Sequence, residues 1–339
     1  PSVMPAFGDH DARHAPAVSR ITTRPPVWVG AKLFPMTSLR VFLLGEGRTG
    51  SGRVSLLDVL AAGGLLLFTT FVIVPTLMSF SLGFTNQNPL YQASDFVGLD
   101  NYVEQLGDAA LHRALKNTVL LTVAVTIGAN LGGLILALLL NGTSRYFRSL
   151  RTVVFIPQIL SAVIVSFIFT TILTNRGILN STLDGVGLSE LTRPWLGLPD
   201  LALGSIGFVV MWQMMGFTTV VYLAALQSVP NDLIEAAEID GAGAWKRFRN
   251  VTFPLLGPGV TISTAIVLIT TLRLYDHIAV LTGGGPGFRT ESAVFYLLRM
   301  GFTNNRIGYA SSIALVLLVI IGVSSGLIVA YLRRREVRL

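Results

Sequence analysis

No cysteine occurs in the 339 residues, so neither a disulfide framework nor a thiolate metal site is possible. Charge is scarce too: Asp, Glu, Lys and Arg make up 13%, against roughly 25% in a soluble globular chain. Histidine is confined to His10, His14, His112 and His277, which show neither H-E-x-x-H nor another ligand pairing. No nucleophile stands beside a base, so nothing supports an enzyme. GEGRTG at 45–50 matches G-x-G-x-x-G, but no βαβ unit surrounds it and it lacks the lysine of a P-loop. It reads as a flexible basic linker.

What fills the chain instead is apolar: hydrophobic residues are 52% and the mean hydropathy is +0.65. That balance indicates a membrane protein before any segment is singled out. The net charge of +7 would suit nucleic acid, but the basic residues sit at the ends of apolar segments, where they orient a membrane protein. Nucleic acid is therefore not expected as a partner.

A helix needs about 20 apolar residues to cross the hydrocarbon core. Uncharged windows at 59–84, 118–140, 152–174, 201–230 and 309–332 meet that length. A sixth runs from 251 to 272 and continues through Arg273, Asp276 and His277 to about 281. The expectation is an all-α integral membrane protein with six transmembrane helices, kinked at Pro75 and Pro157. Arg145, Arg148 and Arg151 in one short loop, and Arg333, Arg334, Arg335 and Arg338 at the C-terminus, mark one side as cytoplasmic. Arg48 and Arg53, before the first span, agree. Both termini are then expected inside, with 85–117, 175–200 and 282–308 outside. Residues 1–56 read as a cytoplasmic tail, partly disordered or lying on the membrane surface, 57–335 as the six-helix domain and 336–339 as a second short tail.

One stretch breaks the apolar pattern. EAAEIDGAGAWKRF at 235–248 lies on the expected cytoplasmic side between two spans. Asn231 and Asp232 offer N-caps for a short helix, with Glu235 in its first turn. Leu233, Ala236, Ala237 and Asp240 would share a face, Gly241 would end the helix, and Gly243 would redirect the chain into a second one. A helix–glycine–helix knob of this kind, at 231–249, suits docking against a partner that moves.

The run Glu235-Ala236-Ala237-Glu238-Ile239-Asp240-Gly241-Ala242, with Phe248, Val251 and FPLLGP at 253–258, resembles the EAA motif of permease subunits of binding-protein-dependent ABC importers. YDHIAVLTGGGPG (275–287), WQMMGF (212–217), AALQSVP (224–230) and ALKNT (114–118) are similar to the carbohydrate-uptake permeases of the maltose and glycerol-3-phosphate type. The resemblance covers about 57–335. It implies a type I importer permease in a bacterial-type inner membrane, working by alternating access with a second homologous permease subunit, an ATPase dimer and an extracytoplasmic solute-binding protein. ATP and Mg would bind the ATPase and no cofactor this chain. Glu235, Ala236, Ala237, Asp240, Gly241 and Ala242 would dock on the ATPase, and Gly283, Gly284, Gly285 and Pro286 would lie at the outer gate. A single-chain secondary transporter is the other reading, but neither inverted repeats nor broken-helix ion sites are evident.

Within the spans, Arg273, Asp276 and His277 are the ionisable group. At about 1.5 Å per residue from Gly257, Arg273 lies some 24 Å along the helix, in the outer half of the bilayer. Either Arg273 donates to a carbohydrate substrate, or it pairs with Asp276 at i, i+3 to fix the helix. An arginine here departs from the family, where polar residues, often Asn, contact sugar. Trp212, Gln213 and Tyr222 add aromatic faces and amide groups to the candidate pathway, although aromatics inside a span more often serve packing.

Overall fold

The computed structural model describes residues 56–90 and 94–336. The basic linker at 45–50, the tail before Leu56 and the last three residues lie outside the described residues. From Gly64 onward the described residues form one compact unit. Among the described residues the structure is helical, with a single isolated bridge between Thr85 and Phe96.

The first span is α1 (Leu56–Phe68) continued by α2 (Val74–Leu82), with a π-turn at Thr69–Ile73 between them. That turn directly precedes Pro75, which has no N–H to give to a regular ladder. A short α3 (Asp100–Gly107) leads into α4 (Ala109–Leu139), which begins nine residues before the predicted window because Asp108 caps it. Asp108 Oδ1 accepts from the N–H of Ala110 at 2.9 Å and of Leu111 at 3.1 Å.

The third span departs from expectation. The predicted 152–174 helix is two: α5 (Arg145–Ile159) and α6 (Ala162–Leu173), separated by extended backbone at Leu160 and Ser161. Pro157 does not kink a continuous helix; α5 stops two residues beyond it. Ser161 restarts the chain by accepting from Ile164 N–H. The membrane-length segment runs from Ala162 to Gly185, including α7 (Ile178–Gly185).

The fourth span is α8 (Pro199–Gln227). After it come α9 (Asn231–Ile239) and α10 (Ala244–Arg247), then α11 (Phe253–Leu255) and α12 (Gly257–Leu272), with a 64° bend between the segments Ala244–Leu255 and Gly257–Leu272. The predicted helix through 281 is also interrupted. It ends at Leu272, Arg273 is its C-cap, and α13 (Asp276–Leu281) starts afresh. A short α14 (Ala293–Leu298) and the long α15 (Ile307–Arg333) complete the chain.

Helix α8 is central, packing most extensively on α4. Small residues allow this approach, as is usual between membrane helices. Gly128 and Gly132 of α4 receive Met211 and Met215, and a Cβ on Gly133 would lie 2.0 Å from Thr218 Oγ1. Thr218 donates across that contact to Ala129 O at 2.7 Å. Leu121, Val125, Ile206, Val210, Val267 and Ile278 form the main buried core. Leu65, Phe71, Leu131 and Leu327 remain exposed on long apolar helices, the surface a bilayer would cover.

Candidate functional site

The polar segment folds as a helix–turn–helix knob. Its first helix starts at Asn231 with Pro230 in the cap position, so Asn231 and Asp232 do not cap it; the fixed φ of Pro230 (−62°) makes the turn instead. Gly241 closes α9 with φ +74°, donating its N–H to Glu238 O at 3.0 Å, while Ala242 N–H reaches Ala237 O at 2.9 Å. These two bonds define a Schellman motif, whose left-handed position favours glycine. Glu238 forms an ion pair with Arg247 across the turn. Glu235, Ala236 and Asp240 are exposed, and Ala237 and Ala242 half-exposed. Ile239 (86% exposed) and Trp245 (70%) present apolar surface beside them. Glu235 has no ion partner among the described residues.

The second region lies where helices break. Gln213 of α8 is buried, and its Nε2 donates to Pro157 O (3.3 Å) and Leu160 O (3.0 Å). Those carbonyls are left over where α5 ends, so one amide satisfies two orphaned acceptors. Gln213 Oε1 accepts from Nε2 of buried His277, 2.8 Å away, at the start of α13. Gln213 thus joins the break at 160–161 to the break at 273–275.

Beside this bridge is a cavity of about 300 Å³ lined by Gln213, Thr270, Arg273, Tyr275, Asp276 and His277. Arg273 and Asp276 are both exposed there. Of the two alternatives for Arg273, the pair with Asp276 is not formed: no salt bridge joins them, and Arg273 has no ion partner among the described residues. The i, i+3 relation requires a continuous helix, and the helix ends at Leu272 and restarts only at Asp276. Trp212 and Tyr222 are not brought to the cavity. Trp212 sets its ring edge-to-face against Phe169 at 5.2 Å. Tyr222 is buried, donating to Asn130 Oδ1 at 2.8 Å in a node with Ser263 that ties α4, α8 and α12 together.

The glycine loop is held on both sides. Gly283 (φ +58°) and Gly284 (φ +81°) are left-handed, and a Cβ on Gly284 would come 2.8 Å from Phe295 and 2.9 Å from Glu291. Thr290 donates to Gly285 O at 2.6 Å, next to Pro286. From α4, Asn117 Nδ2 donates to Arg289 O and Glu291 O, while Thr118 Oγ1 accepts from Ala293 N–H. Glu291 is 2% exposed and holds Arg299 through two bonds, at 2.5 and 2.9 Å. Burial pushes the Asp108 carboxyl up, but hydrogen bonds from Tyr296, Tyr309 and the N–H groups of Leu111 and Ala110 outweigh this and hold it below the usual carboxylate range. Sequence reading missed this outer network and the bridge that Gln213 makes to His277 and to the carbonyls of Pro157 and Leu160. The ALKNT stretch carried its only visible signal, in Asn117 and Thr118.

Residues 129–338 match the family described as binding-protein-dependent transport system inner membrane component. The chain is similar to the probable ABC transporter permease protein YurN of Bacillus subtilis, at 34% identity over 75% of this chain and 88% of that protein. It is also similar to the multiple sugar-binding transport system permease protein MsmF of Streptococcus mutans, at 34% identity over 80% and 93%. The lactose transport system permease protein LacF of Rhizobium radiobacter is 31% identical over 78% and 89%. The fold matches a crystal structure of a bacterial ABC transporter for the acidic polysaccharide alginate, with a TM-score of 0.72 over 88% of this chain and 98% of that one, at 24% identity. With its broken apolar helices and exposed polar knob, the chain belongs to the inner-membrane permease subunits of binding-protein-dependent ABC importers.

Proposed function

We propose that this chain forms half of the translocation pathway of an ATP-driven carbohydrate importer and is coupled to a separate ATPase through the knob at 231–249. The observation that carries the coupling is an exposed, glycine-closed helix pair projecting from an apolar bundle. Its Glu238–Arg247 pair stiffens the knob from within, leaving Glu235 and Asp240 to meet basic groups on the ATPase. Ile239 and Trp245 supply the apolar contact such an interface needs. A second homologous permease provides the other half of the pathway, two ATPase copies bind and hydrolyse ATP, and an extracytoplasmic binding protein delivers the sugar. The sugar and lactose systems of the relatives support carbohydrate as the substrate class.

Both termini and the knob face the cytoplasm in this reading, supported by the arginines at 145–151 and 333–335. A reporter active only outside the cytoplasm should be silent after Leu339 and active when inserted near Gly185. The opposite pattern would place the knob where no ATPase exists.

The cavity at the two helix breaks is the candidate substrate site. Arg273, with no competing ion pair, offers a planar set of donors to hydroxyls, while Asp276 offers acceptors. Arg273→Ala should weaken uptake about tenfold or more, the scale of one charged hydrogen bond of roughly 1.5–3 kcal/mol. Basal ATP hydrolysis and assembly should persist, and Arg273→Lys should rescue poorly because lysine lacks the planar fork. Since no salt bridge joins the two residues, adding Asp276→Asn should not restore transport. Recovery of transport in that double variant would remove Arg273 from the substrate site.

A further inference from the structure

A second and larger cavity, about 610 Å³, adjoins the glycine loop. Its volume lies within the range of roughly 300–1,000 Å³ typical of ligand pockets. Three phenylalanines line it, Phe288, Phe295 and Phe302, together with Tyr275, Arg299 and Thr303. Tyr275 also lines the inner cavity, so one side chain stands between the two spaces. It sits at the break before α13 with φ −132° and ψ −56°, and its ring stacks on Phe295 at 5.6 Å and 28°.

The chemistry of the outer cavity is specific. Phe302 (77% exposed) presents an aromatic ring to the cavity, and Phe288 (54%) keeps half its surface exposed with Arg299 over one face; such rings suit the apolar face of a pyranose. Arg299 lies 4.4 Å over the Phe288 ring, and its Nε and Nη2 are committed to Glu291. Its charge is thereby matched by a buried carboxylate, while Nη1 still has hydrogens to donate. A neutralised donor beside aromatic faces favours an uncharged polyhydroxylated ring over an anion.

We propose that this outer cavity is an entry subsite for a neutral sugar ring, and that Tyr275 is the partition between it and the inner cavity. The inference rests on the carbohydrate-importer reading above. Sugar stacks on Phe302 and Phe288, takes a hydrogen bond from Arg299, and passes inward when the Tyr275 ring leaves Phe295.

The absence of cysteine from these 339 residues makes the test direct, because an introduced thiol is the one labelled site in this sequence once the subunits are separated on a gel. The full complex with its ATPase, second permease and binding protein is reconstituted, and import of radiolabelled maltose, sucrose, lactose and trehalose is measured beside glucuronate, whose import in place of the neutral sugars would overturn the neutral-ring subsite. Failure to import any of these would overturn the carbohydrate reading and this inference with it. The imported sugar is then used to protect Phe302→Cys and Thr303→Cys against a membrane-impermeant maleimide. Protection at both positions is expected, together with a KM raised about three- to tenfold in Phe302→Ala at unchanged maximal rate, the value of one aromatic contact. Tyr275→Ala should let sugar leak without ATP, and Tyr275→Phe, which keeps the stack, should not. Normal import with no protection and an unchanged KM would overturn the subsite alone. So would thiols that assembly with the second permease makes unreactive, since that subunit would then fill the cavity. A tight Tyr275→Ala complex would overturn the partition.

Discussion

Gly241→Pro is expected to leave the chain inserted in the membrane and to abolish ATP-driven uptake. Proline holds φ near −65°, whereas Gly241 sits at +74°. It also has no N–H, so the bond to Glu238 O is lost along with the left-handed turn. Helix α9 would then run into α10 at a different angle, separating Glu235, Ile239 and Asp240 from Trp245 as one docking surface. Gly241→Ala is the graded control. It keeps the N–H and meets no atom within 4 Å, so it pays only the left-handed strain, about 1–2 kcal/mol. Partial uptake is expected for alanine and none for proline, with ATPase co-purifying poorly with the proline variant. Wild-type uptake and wild-type recovery of ATPase by Gly241→Pro would refute the docking role.

The second large effect concerns stability on the outer side. Glu291→Ala removes the carboxylate that holds Arg299 and leaves a cation whose side chain is only 17% exposed. Breaking one partner of such a pair costs roughly 3–5 kcal/mol, because a charge is left uncompensated. Thermal unfolding in detergent should show a clear loss. Arg299→Leu combined with Glu291→Ala should recover most of it, since the uncompensated charge is then gone. A double variant as unstable as the single one would mean that Glu291 acts through packing against the glycine loop rather than through charge.

Spans and knob were legible in the sequence for opposite reasons. Long uncharged runs have no stable alternative to membrane helices, and a charged, alanine-rich segment between them has no place inside a bilayer. The helix breaks were not legible. Residues 157–162 carry no charge, and 270–275 carry only Arg273 before the apolar stretch resumes, so a helix was read straight across both interruptions. What makes the breaks tolerable is distant in the chain. Gln213 satisfies the carbonyls of Pro157 and Leu160 from more than fifty residues away, and His277 completes the bridge. The alternative that Arg273 pairs with Asp276 was open only because a helix was assumed between them. Asn117 and Thr118 stood out in a short motif, but their partners, Arg289, Glu291 and Ala293, lie more than 170 residues further on.

The central claim is that this chain transports only as one subunit of an ATP-driven assembly. Its most direct test is sugar uptake into proteoliposomes, comparing this chain alone with the chain plus its second permease, ATPase and binding protein, each with and without ATP. Uptake is expected only in the complete assembly with ATP, and none from this chain alone under any ion gradient. Uptake by the single chain driven by a sodium or proton gradient, without ATPase, would contradict it.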